Sequence, residues 1–343
     1  MQISIIGLDI AKNIFQVHGL DENGEAVLRR RIRRGDMLRF FSKLDPCLVA
    51  MEACATAHYW SRELTALGHE ARLLPPAYVK PYVKRGKNDA IDAEAICEAA
   101  SRPGMRVVPV KSAEQQAVLA LHRTRSLLVR QRTALVNSLR AHLAEFGFIA
   151  PQGVKRIPQL IAVIDDPASD LPALAREALR IIVGQLDKLE RVLRDIDRRI
   201  VRWCRQNDAA RRLATIPGVG PITASALAAS VPDASQFRSG RHFAAWLGLV
   251  PRQNSSGGKT SLGRISKMGD RYLRKLLVVG MTSVMWAARR PNAGPAFAWA
   301  RALLERRPAR LVTVALANKT ARIAWALLAH GGTYRAPAAA QTA

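Results

Sequence analysis

Four acidic side chains stand where carboxylates could together hold a divalent metal ion. Asp9 lies in the first apolar segment, Glu52 follows a later one, and Asp89 and Asp92 begin a helical pattern. A spacing of three residues places the last two side chains on one face of a helix. Carboxylates brought together repel one another unless cations lie among them, and such hard oxygen ligands suit Mg²⁺ or Mn²⁺. The pattern predicts a metal site able to activate a nucleophile and stabilise a leaving oxygen in phosphodiester transfer.

Each of the four residues also has a simpler explanation. Asp9 could merely end a strand, and Glu52 could pair with an arginine. Asp89 could be only the N-cap of the helix that follows it. The metal site is favoured because the surrounding elements predict one fold in which all four carboxylates come close together.

The elements around these carboxylates alternate between strand and helix. Short segments rich in apolar and β-branched residues predict strands at 3–10, 13–20, 26–32, 47–51 and 69–74. An Asn-Gly turn between the second and third segments makes the first three an antiparallel meander. Helices are predicted at 36–44 with Asp36 as cap, at 56–67 opened by Thr56, and from Asp89 onward.

This order of elements is that of a ribonuclease H-like fold. In that fold, the strand ends that carry Asp9 and Glu52 converge with the helix that carries Asp92. A doubly wound nucleotide-binding sheet is the alternative, but it requires a helix and a glycine-rich turn after the first strand. Here a hairpin follows Asp9 directly, which favours the ribonuclease H-like order.

From residue 112 the pattern changes to long helices rich in leucine, alanine and arginine. Leucines at three- and four-residue steps predict helices over 119–143 and 174–203, joined by a proline-rich connection at 151–172. They are typical of the arms of a helical hairpin or coiled coil. The arms could act only as a spacer, but leucines in this pattern need a partner surface. We therefore expect them also to form an interface between subunits.

A compact glycine motif, Pro217-Gly218-Val219-Gly220-Pro221, precedes an apolar helix. It has the form of a helix-hairpin-helix, in which Gly218 and Gly220 let backbone N–H groups approach a DNA phosphate near a positive helix N-terminus. Such a motif grips DNA without reading its sequence. The alternative is a tight turn between helices that binds nothing.

Two serines, Ser255 and Ser256, lie in a glycine-rich segment at 254–263 that predicts a flexible loop. Basic residues flank the serines: Arg252, Lys259, Arg264, Lys267, Arg271 and Arg274. These cations could hold a phosphate and stabilise the charge that develops when a serine hydroxyl attacks it. Composition alone favours the simpler interpretation, a solvated basic loop that contacts a phosphate backbone.

The charge of the whole chain points to nucleic acid. Its 343 residues include 53 Lys and Arg against 27 Asp and Glu, a formal charge of +26 with a pI near 11.2. This is too basic for an ordinary enzyme of small molecules, and 49% hydrophobic residues exclude a disordered basic tail. So large a positive charge on folded domains attracts phosphate by steering and by counterion release.

The remaining composition indicates a cytosolic protein. Four cysteines without a CxxC pair, Cys47, Cys54, Cys97 and Cys204, indicate buried reduced thiols, and seven scattered histidines argue against a zinc site. The N-terminus lacks a signal-peptide pattern, and no apolar run approaches the roughly 20 residues that span a membrane. We expect a cytoplasmic, nucleoid-associated prokaryotic protein without membrane contact.

These segments predict a fold class of α/β followed by all-α, in four parts. The parts are a carboxylate domain at 1–110, a helical linker at 111–206, a mainly helical C-terminal domain with the serine loop at 207–330, and a disordered tail at 331–343.

Several short blocks together resemble the DEDD-type insertion-sequence transposases, also called the one-ten family. The N-terminal blocks are Gly7-Leu8-Asp9, Met51-Glu52-Ala53 and Asp89-Ala90-Ile91-Asp92. The C-terminal blocks are Gly248-Leu249-Val250-Pro251, Ser255-Ser256-Gly257-Gly258-Lys259 and Arg264-Ile265-Ser266-Lys267-Met268-Gly269. They occur in the family's order over nearly the whole chain, which argues against a chance match.

The resemblance implies a RuvC-like N-terminal domain, a helical linker and a C-terminal transposase domain in a protein that moves its own DNA element. It implies that the four carboxylates bind the metal and that a serine takes a covalent 5′-phosphate link to DNA. Ser256 fits the family pattern better than Ser255, because a serine directly precedes small residues there.

The family is also similar to RNA-guided recombinases, which implies further partners. A structured bridge RNA encoded by the element would pair with target and donor DNA. The subunits would form dimers that meet as a tetramer, with the serine of one subunit reaching the carboxylates of another. Contacts with RNA and two DNA duplexes would account for the positive charge.

Two other functions compete with this DNA recombinase. A RuvC-type structure-specific nuclease would use the metal alone, and the serine loop with its basic flanks would then have no task. A non-catalytic nucleic-acid-binding protein is the third, and four intact carboxylates speak against it. A covalent DNA–protein adduct is expected of the recombinase alone.

Overall fold

The computed structural model describes residues 2–84, 89–153, 156–291, 293–294 and 297–336, and for residues 89 and 90 it describes the backbone alone. The chain divides into two compact units, Met1–Gln115 and Gln116–Ala343. The first is an α/β unit built on a sheet, and the second is mainly helical. The mixed class predicted from the sequence is confirmed.

The described part of the first unit contains a five-stranded sheet. Its strands are β1 (Ile5–Asp9), β2 (Ile14–Leu20), β3 (Ala26–Arg33), β4 (Leu48–Glu52) and β5 (Glu70–Leu74). Their order across the sheet is β3-β2-β1-β4-β5. The first three strands form an antiparallel meander, whereas β1, β4 and β5 run parallel. The predicted meander and the following parallel strands are confirmed, with small shifts at their ends.

Helices cover both faces of this sheet. They are α1 (Met37–Phe41), α2 (Ala57–Ala66), α3 (Pro76–Val79) and α4 (Asp89–Ser101). Ile6 and Leu8 of β1 are buried in one apolar cluster with Trp60 of α2. On the opposite face, Ile96 of α4 is buried in another. Because alternate residues of a strand point to opposite faces, Gly7 is directed toward α4.

The starts of the first two helices differ from their predictions. A 3₁₀ turn at Arg34–Asp36 precedes α1, and Asp36 has φ −93° and ψ −3° with no side-chain capping hydrogen bond. Asp36 is therefore not a capping residue, because an N-cap needs an extended backbone to direct its side chain onto the helix N–H groups. Thr56 precedes α2 with a left-handed φ of +71° and also makes no capping bond.

The second unit contains most of α5 (Ala113–Ala144), followed by α6 (Ile157–Asp165) and α7 (Ala173–Gln206). The sequence predicted the two long helices but treated the region of α6 as a plain connection. Leu160 and Ile164 of α6 are buried in an apolar cluster with side chains from both long helices. A proline in its first turn is compatible with this helix, because the N–H that proline lacks has no partner there.

The long helices α5 and α7 run antiparallel as two arms. Arg125 contacts Asp197 at 2.5 Å, and Arg132 contacts Glu190 at 3.3 Å. From the first pair to the second, the residue number rises by seven on α5 and falls by seven on α7, as expected of antiparallel helices. A helical hairpin is present, and a coiled coil between subunits stays a prediction, as does the separate linker domain at 111–206.

The rest of the second unit is a helical core with one hairpin. Its helices are α8 (Asp208–Leu213), α9 (Pro221–Ser230), α10 (Gly240–Trp246), α11 (Arg271–Ala288), α12 (Ala298–Leu304) and α13 (Ala309–His330). Strands β6 (Pro251–Gln253) and β7 (Leu262–Ile265) form an antiparallel hairpin between α10 and α11. All six helices contribute to one apolar core.

Within the described residues, α13 is the one helix long and apolar enough to cross a membrane by length and composition. This is weak evidence, since core helices of soluble proteins meet the same criterion. Val312, Leu316 and Ala317 of this helix are buried in the core of the unit, which explains its composition. Lys319 and Arg322 interrupt its apolar residues, so the helix contains no continuous apolar run of about 20 residues.

The C-terminal tail is described as far as residue 336 and has no regular secondary structure there. The backbone N–H of Tyr334 donates to Thr215 Oγ1 at 2.9 Å, and its side chain packs against the apolar core. The first part of the predicted disordered tail is therefore anchored, whereas residues 337–343 lie outside the described part of the chain.

Candidate active site

Asp9 and Glu52 end neighbouring parallel strands. Leu8 of β1 lies opposite Met51 of β4, and the two acidic residues follow directly after this pair. The carboxyl ends of parallel strands meet at one edge of a sheet, so the two side chains extend from the same edge. Both residues are half-buried. The predicted juxtaposition of these two strand ends is present.

Gly7 explains how α4 reaches this edge. A Cβ atom at Gly7 would lie 2.1 Å from the carbonyl oxygen of Ala93 and 2.7 Å from the backbone nitrogen of Cys97. Any larger residue would push α4 off the sheet, so glycine permits the close crossing. Asp92 directly precedes Ala93 and is thereby brought toward the ends of β1 and β4.

The electrostatics of the site couple Asp92 to Glu52, and Glu52 and Asp9 to Cys54. Burial, and then the charge of Asp92, raises the pKa of the Glu52 carboxyl above its usual value. Burial, followed by the charges of Glu52 and Asp9, likewise raises the pKa of the Cys54 thiol. Asp9, Glu52 and Asp92 thus form an acidic neighbourhood in a strongly basic protein.

A complete ligand shell is not formed by the described side chains. Among them, no group of three or more His, Cys, Asp or Glu residues could hold one metal ion. Asp89 is the first residue of α4, but its side chain lies outside the described residues. The donors present are carboxylates, whose hard oxygens fit a divalent cation such as Mg²⁺. Cys54, which the sequence predicted to be buried, is an exposed thiol two residues after Glu52, whereas Cys47, Cys97 and Cys204 are buried as predicted.

The two serines of the second unit lie at the tip of the β6–β7 hairpin. Gly257 and Gly258 have φ of +54° and +75°, and the N–H of Lys259 donates to the carbonyl of Ser256 at 3.0 Å. Two consecutive residues with positive φ form the tight turn that suits a hairpin, and glycine adopts it without strain. The segment therefore adopts a β-hairpin with a tight turn, and the flexibility predicted from the sequence stays a prediction.

The two serine hydroxyls differ in their contacts. Both side chains are exposed. Ser255 Oγ accepts a hydrogen bond from Gln253 Nε2 at 3.0 Å. Ser256, at the first position of the turn, makes no side-chain hydrogen bond with the residues that the structure describes. The difference supports Ser256 as the more available hydroxyl.

The base of the hairpin is held by glycines of the first and third C-terminal blocks, Gly248 and Gly269. A Cβ atom at Gly248 would lie 2.1 Å from the carbonyl oxygen of Met268, and one at Gly269 would lie 1.7 Å from that of Trp246. The N–H of Ser266 donates to Val250 at 2.8 Å across the same junction. These blocks hold the hairpin in place by backbone interlocking.

The predicted phosphate-binding cations fall into two groups. Those with exposed side chains are Arg252, Lys259, Arg264, Lys267 and Arg271. The exposed Arg252 also donates to the carbonyl of Ser266, at 3.3 Å. Arg274 differs in being half-buried, and its guanidinium donates to the carbonyls of Leu247 at 2.9 Å and Met268 at 3.1 Å. It ties together the two segments that form the base of the hairpin. Sequence spacing offered no signal for this difference, because the contacts are long-range.

The two glycines of the helix-hairpin-helix-like motif also differ. Gly218 has φ of +79°, and a Cβ atom there would lie 2.5 Å from side-chain carbons of Met281 and Val284 in α11. Gly220, at the N-cap of α9, has φ of −77° and open space around it. Gly218 is thus required for packing against α11, whereas Gly220 has open space for a Cβ atom; both glycines are exposed to solvent.

Comparison with known proteins identifies the family of this chain. Residues 6–148 match the DEDD-type transposase domain of IS110, and residues 210–295 match the transposase family IS116/IS110/IS902. A "probable family 20 transposase" of Pseudomonas aeruginosa is 54% identical over 98% of this chain and 99% of its own length.

Two transposases named for their insertion sequences are similar over the same extent. Those for IS1328 of Yersinia enterocolitica and IS1111A of Coxiella burnetii are 41% and 40% identical, each over 97% of this chain and over 98% and 92% of their own lengths. Similarity of this degree over nearly the whole length is shared by members of one family. The chain belongs to the IS110 (IS116/IS110/IS902) family of insertion-sequence transposases, enzymes that cleave and rejoin DNA, and it carries the family's DEDD-type domain.

Proposed function

We propose that this transposase excises and inserts its own element with a divalent metal ion and a serine nucleophile. The observation that carries the proposal is that Asp9 and Glu52 end neighbouring parallel strands at one edge of the sheet, and that the charge of Asp92 in α4 adds to burial in raising the pKa of Glu52. With Asp89, these residues would hold Mg²⁺ or Mn²⁺. The strand order supports a ribonuclease H-like, RuvC-like fold for the unit that carries them.

The reaction assigned to the serine is a phosphoryl transfer. The Oγ of Ser256 forms a bond to the phosphorus of a DNA phosphodiester, and the bond from phosphorus to the 3′-oxygen breaks. The serine proton passes to a base, the leaving 3′-oxygen takes up a proton, and the DNA stays joined to serine through its 5′-phosphate. A bound metal ion would lower the pKa of an attacking hydroxyl and stabilise the leaving oxygen.

The hairpin residues would assist this transfer by neutralising charge. Lys259 lies in the same turn as Ser256, and Arg252 and Arg264 are exposed on the two strands of the ribbon. Cations near the attacked phosphate stabilise the charge that develops in the transition state. Gly220, with open space around it at the start of α9, would add a contact with the DNA backbone.

The remaining features of the proposal concern partners. DNA is the substrate that the family implies, and we extend this to a structured guide RNA that selects the sites by base pairing. The subunits would act as a dimer that becomes a tetramer on DNA, in the cytoplasm at the nucleoid. The charge of +26 supports contact with several nucleic-acid strands at once.

The decisive experiment looks for the covalent intermediate. Full-length protein is incubated with Mg²⁺, a plasmid carrying the element, and RNA transcribed from the element's noncoding ends, and is then denatured. We expect a DNA–protein adduct that disappears with EDTA, with Asp9→Ala and with Ser256→Ala, but persists with Ser255→Ala. The serine variants form a matched pair, since they differ by one position.

Other outcomes would support other functions. Metal-dependent nicking without an adduct would indicate a RuvC-type nuclease, and binding without cleavage would indicate a non-catalytic protein. An adduct lost in Ser255→Ala and kept in Ser256→Ala would move the nucleophile by one residue. Strand exchange at the normal rate in EDTA would exclude the metal site.

A further inference from the structure

A buried polar cluster in the second unit lies outside the residues proposed for catalysis. His122 of α5 is 1% exposed, and both of its ring nitrogens have partners on other helices. Nδ1 lies 3.0 Å from the hydroxyl of Tyr272 in α11, and Nε2 lies 3.0 Å from the hydroxyl of Ser225 in α9. Because an unsatisfied buried polar group is costly, the three side chains hold three helices in a defined arrangement.

The partners define which nitrogen of His122 carries the proton. Ser225 Oγ donates to the carbonyl of Pro221 at 2.7 Å, so toward His122 it can only accept. Nε2 of His122 therefore donates, and the neutral ring accepts at Nδ1 from Tyr272. Burial, and then the charge of Arg125, lowers the pKa of His122 to about 4 against the opposing charge of Asp197, so the ring is neutral at physiological pH.

Tyr272 connects this cluster to the serine hairpin. It is the second residue of α11, and its backbone N–H donates to the capping carboxylate of Asp270 at 2.7 Å. Only residues 266–269 lie between β7 and this cap, and they form the interlocked base of the hairpin. A shift of the first turn of α11 would therefore be passed directly to the hairpin.

The hairpin depends on contacts at its base because its own two strands provide little stability. Its strands are three and four residues long, and most of its side chains are exposed. A two-stranded hairpin by itself is at best marginally stable in water. Its orientation must therefore be set by residues 266–269 at its base and by the contacts that hold those residues in place.

We propose that His122 is a positioning residue for the transposition reaction, which fixes the first turn of α11 through Tyr272 and thereby holds the hairpin of Ser255 and Ser256 in one orientation. The catalytic consequence rests on the serine chemistry proposed above. The structural consequence, an ordered hairpin base, does not depend on it.

The test uses Tyr272→Phe, which removes one hydroxyl and keeps the ring in the core. His122 Nδ1 then loses its donor, and the first turn of α11 loses its side-chain hydrogen bonds with both His122 and Arg125 of α5. We expect amide hydrogen exchange in the free protein to rise about tenfold at Ser266, Lys267 and Leu273, with the arms unchanged. His122→Ala is expected to act in the same direction.

The catalytic readout separates positioning from binding. At saturating DNA, the rate of adduct formation by Tyr272→Phe is expected to fall on the order of 10- to 100-fold, while the DNA concentration for half-maximal rate changes by less than about twofold. The control is Leu139→Ala, which removes buried volume from the arms, far in sequence from the hairpin. It should lower the stability of the unit without a selective effect on the hairpin base.

Two results would overturn the proposal. One is unchanged exchange at the hairpin base in Tyr272→Phe. The other is a uniform rise over the whole unit that Leu139→Ala reproduces, since that would indicate a general structural role. Hydrogen exchange is measured without DNA, so it does not depend on the serine chemistry. A wild-type protein that forms no adduct would refute the serine chemistry. The exchange results would then decide by themselves whether His122 positions the hairpin.

Discussion

The surroundings of Glu52 disfavour the ionised form of its carboxyl group. It is half-buried at the end of β4, and burial together with the charge of Asp92 raises the pKa of its carboxyl. A group whose pKa is raised by folding stabilises the fold most at pH values below its pKa in the unfolded chain. That contribution is lost as the pH rises through the raised pKa, so at neutral pH the ionised carboxylate destabilises the metal-free unit.

Replacing this carboxylate by an amide should therefore stabilise the protein and inactivate it. In EDTA at pH 7, Glu52→Gln is expected to be more stable than the wild type by about 0.5 kcal/mol, a small value because partial exposure screens the charges. Thermal unfolding of the two proteins measures this difference. The difference should shrink as the pH falls below the raised pKa of Glu52, where the carboxyl of the folded wild type is protonated.

The control for this prediction is Glu22→Gln, on the exposed turn between β2 and β3. It removes the same charge without burial and should leave the unfolding temperature unchanged. Mg²⁺ should raise the unfolding temperature of the wild type and of Glu22→Gln, but not that of Glu52→Gln. Equal metal stabilisation of all three proteins would contradict the assignment of Glu52 as a ligand.

Among the structural elements, the turn between α8 and α9 shows how similar residues acquire different tasks. Gly218 has a positive φ and lies against α11, where a Cβ atom at Gly280 would in turn approach the carbonyl oxygen of Gly218 to 2.1 Å. Gly220 has an ordinary φ and open space. The first glycine therefore serves the packing of two helices, and the second leaves backbone accessible.

Alanine substitutions should separate these tasks. Gly218→Ala is expected to destabilise the second unit by about 2–4 kcal/mol, because it combines an unfavourable φ with overpacking. Gly220→Ala should change stability by less than about 1 kcal/mol and weaken the binding of duplex DNA. Thermal unfolding and a DNA titration of both variants measure the two effects. Destabilisation by Gly220→Ala equal to that by Gly218→Ala would contradict this division.

At the scale of the whole molecule, the dominant feature is the charge of +26. Binding that neutralises phosphates releases counterions, so affinity for random duplex DNA should fall steeply with salt. If six to ten phosphates are contacted, the loss between 50 and 200 mM salt is about 10³- to 10⁵-fold. Site choice, in contrast, should follow the guide RNA, because phosphate contacts carry no sequence information.

A pair of lysine variants tests where this charge acts. Lys259→Ala, in the hairpin turn, should lower the slope of log affinity against log salt by about one, the amount for one lost phosphate contact. Lys43→Ala removes an equal charge from an exposed position of the first unit and should leave the slope nearly unchanged. Equal slopes for both variants would show that the hairpin does not contact the DNA backbone.

The sequence by itself determined the features that follow from local pattern and chain order. Alternating apolar residues and an Asn-Gly turn predict the meander, and chain order then places Asp9 and Glu52 at adjacent strand ends. The motif blocks identify the family, and the charge indicates nucleic acid. These inferences succeed because strand periodicity and turn chemistry act over a few residues.

The tertiary structure decided what depends on residues far apart in the chain. Only the packing shows that Gly7 admits α4 and so brings Asp92 toward Glu52, that Arg274 ties the hairpin base, and that His122 connects three helices. The structure also shows a β-hairpin that the sequence did not predict, because two glycines at positive φ close the turn and flanking backbone hydrogen bonds hold its base. Such contacts join segments separated by tens of residues to more than a hundred, and no local pattern specifies which glycine, arginine or histidine will meet which partner.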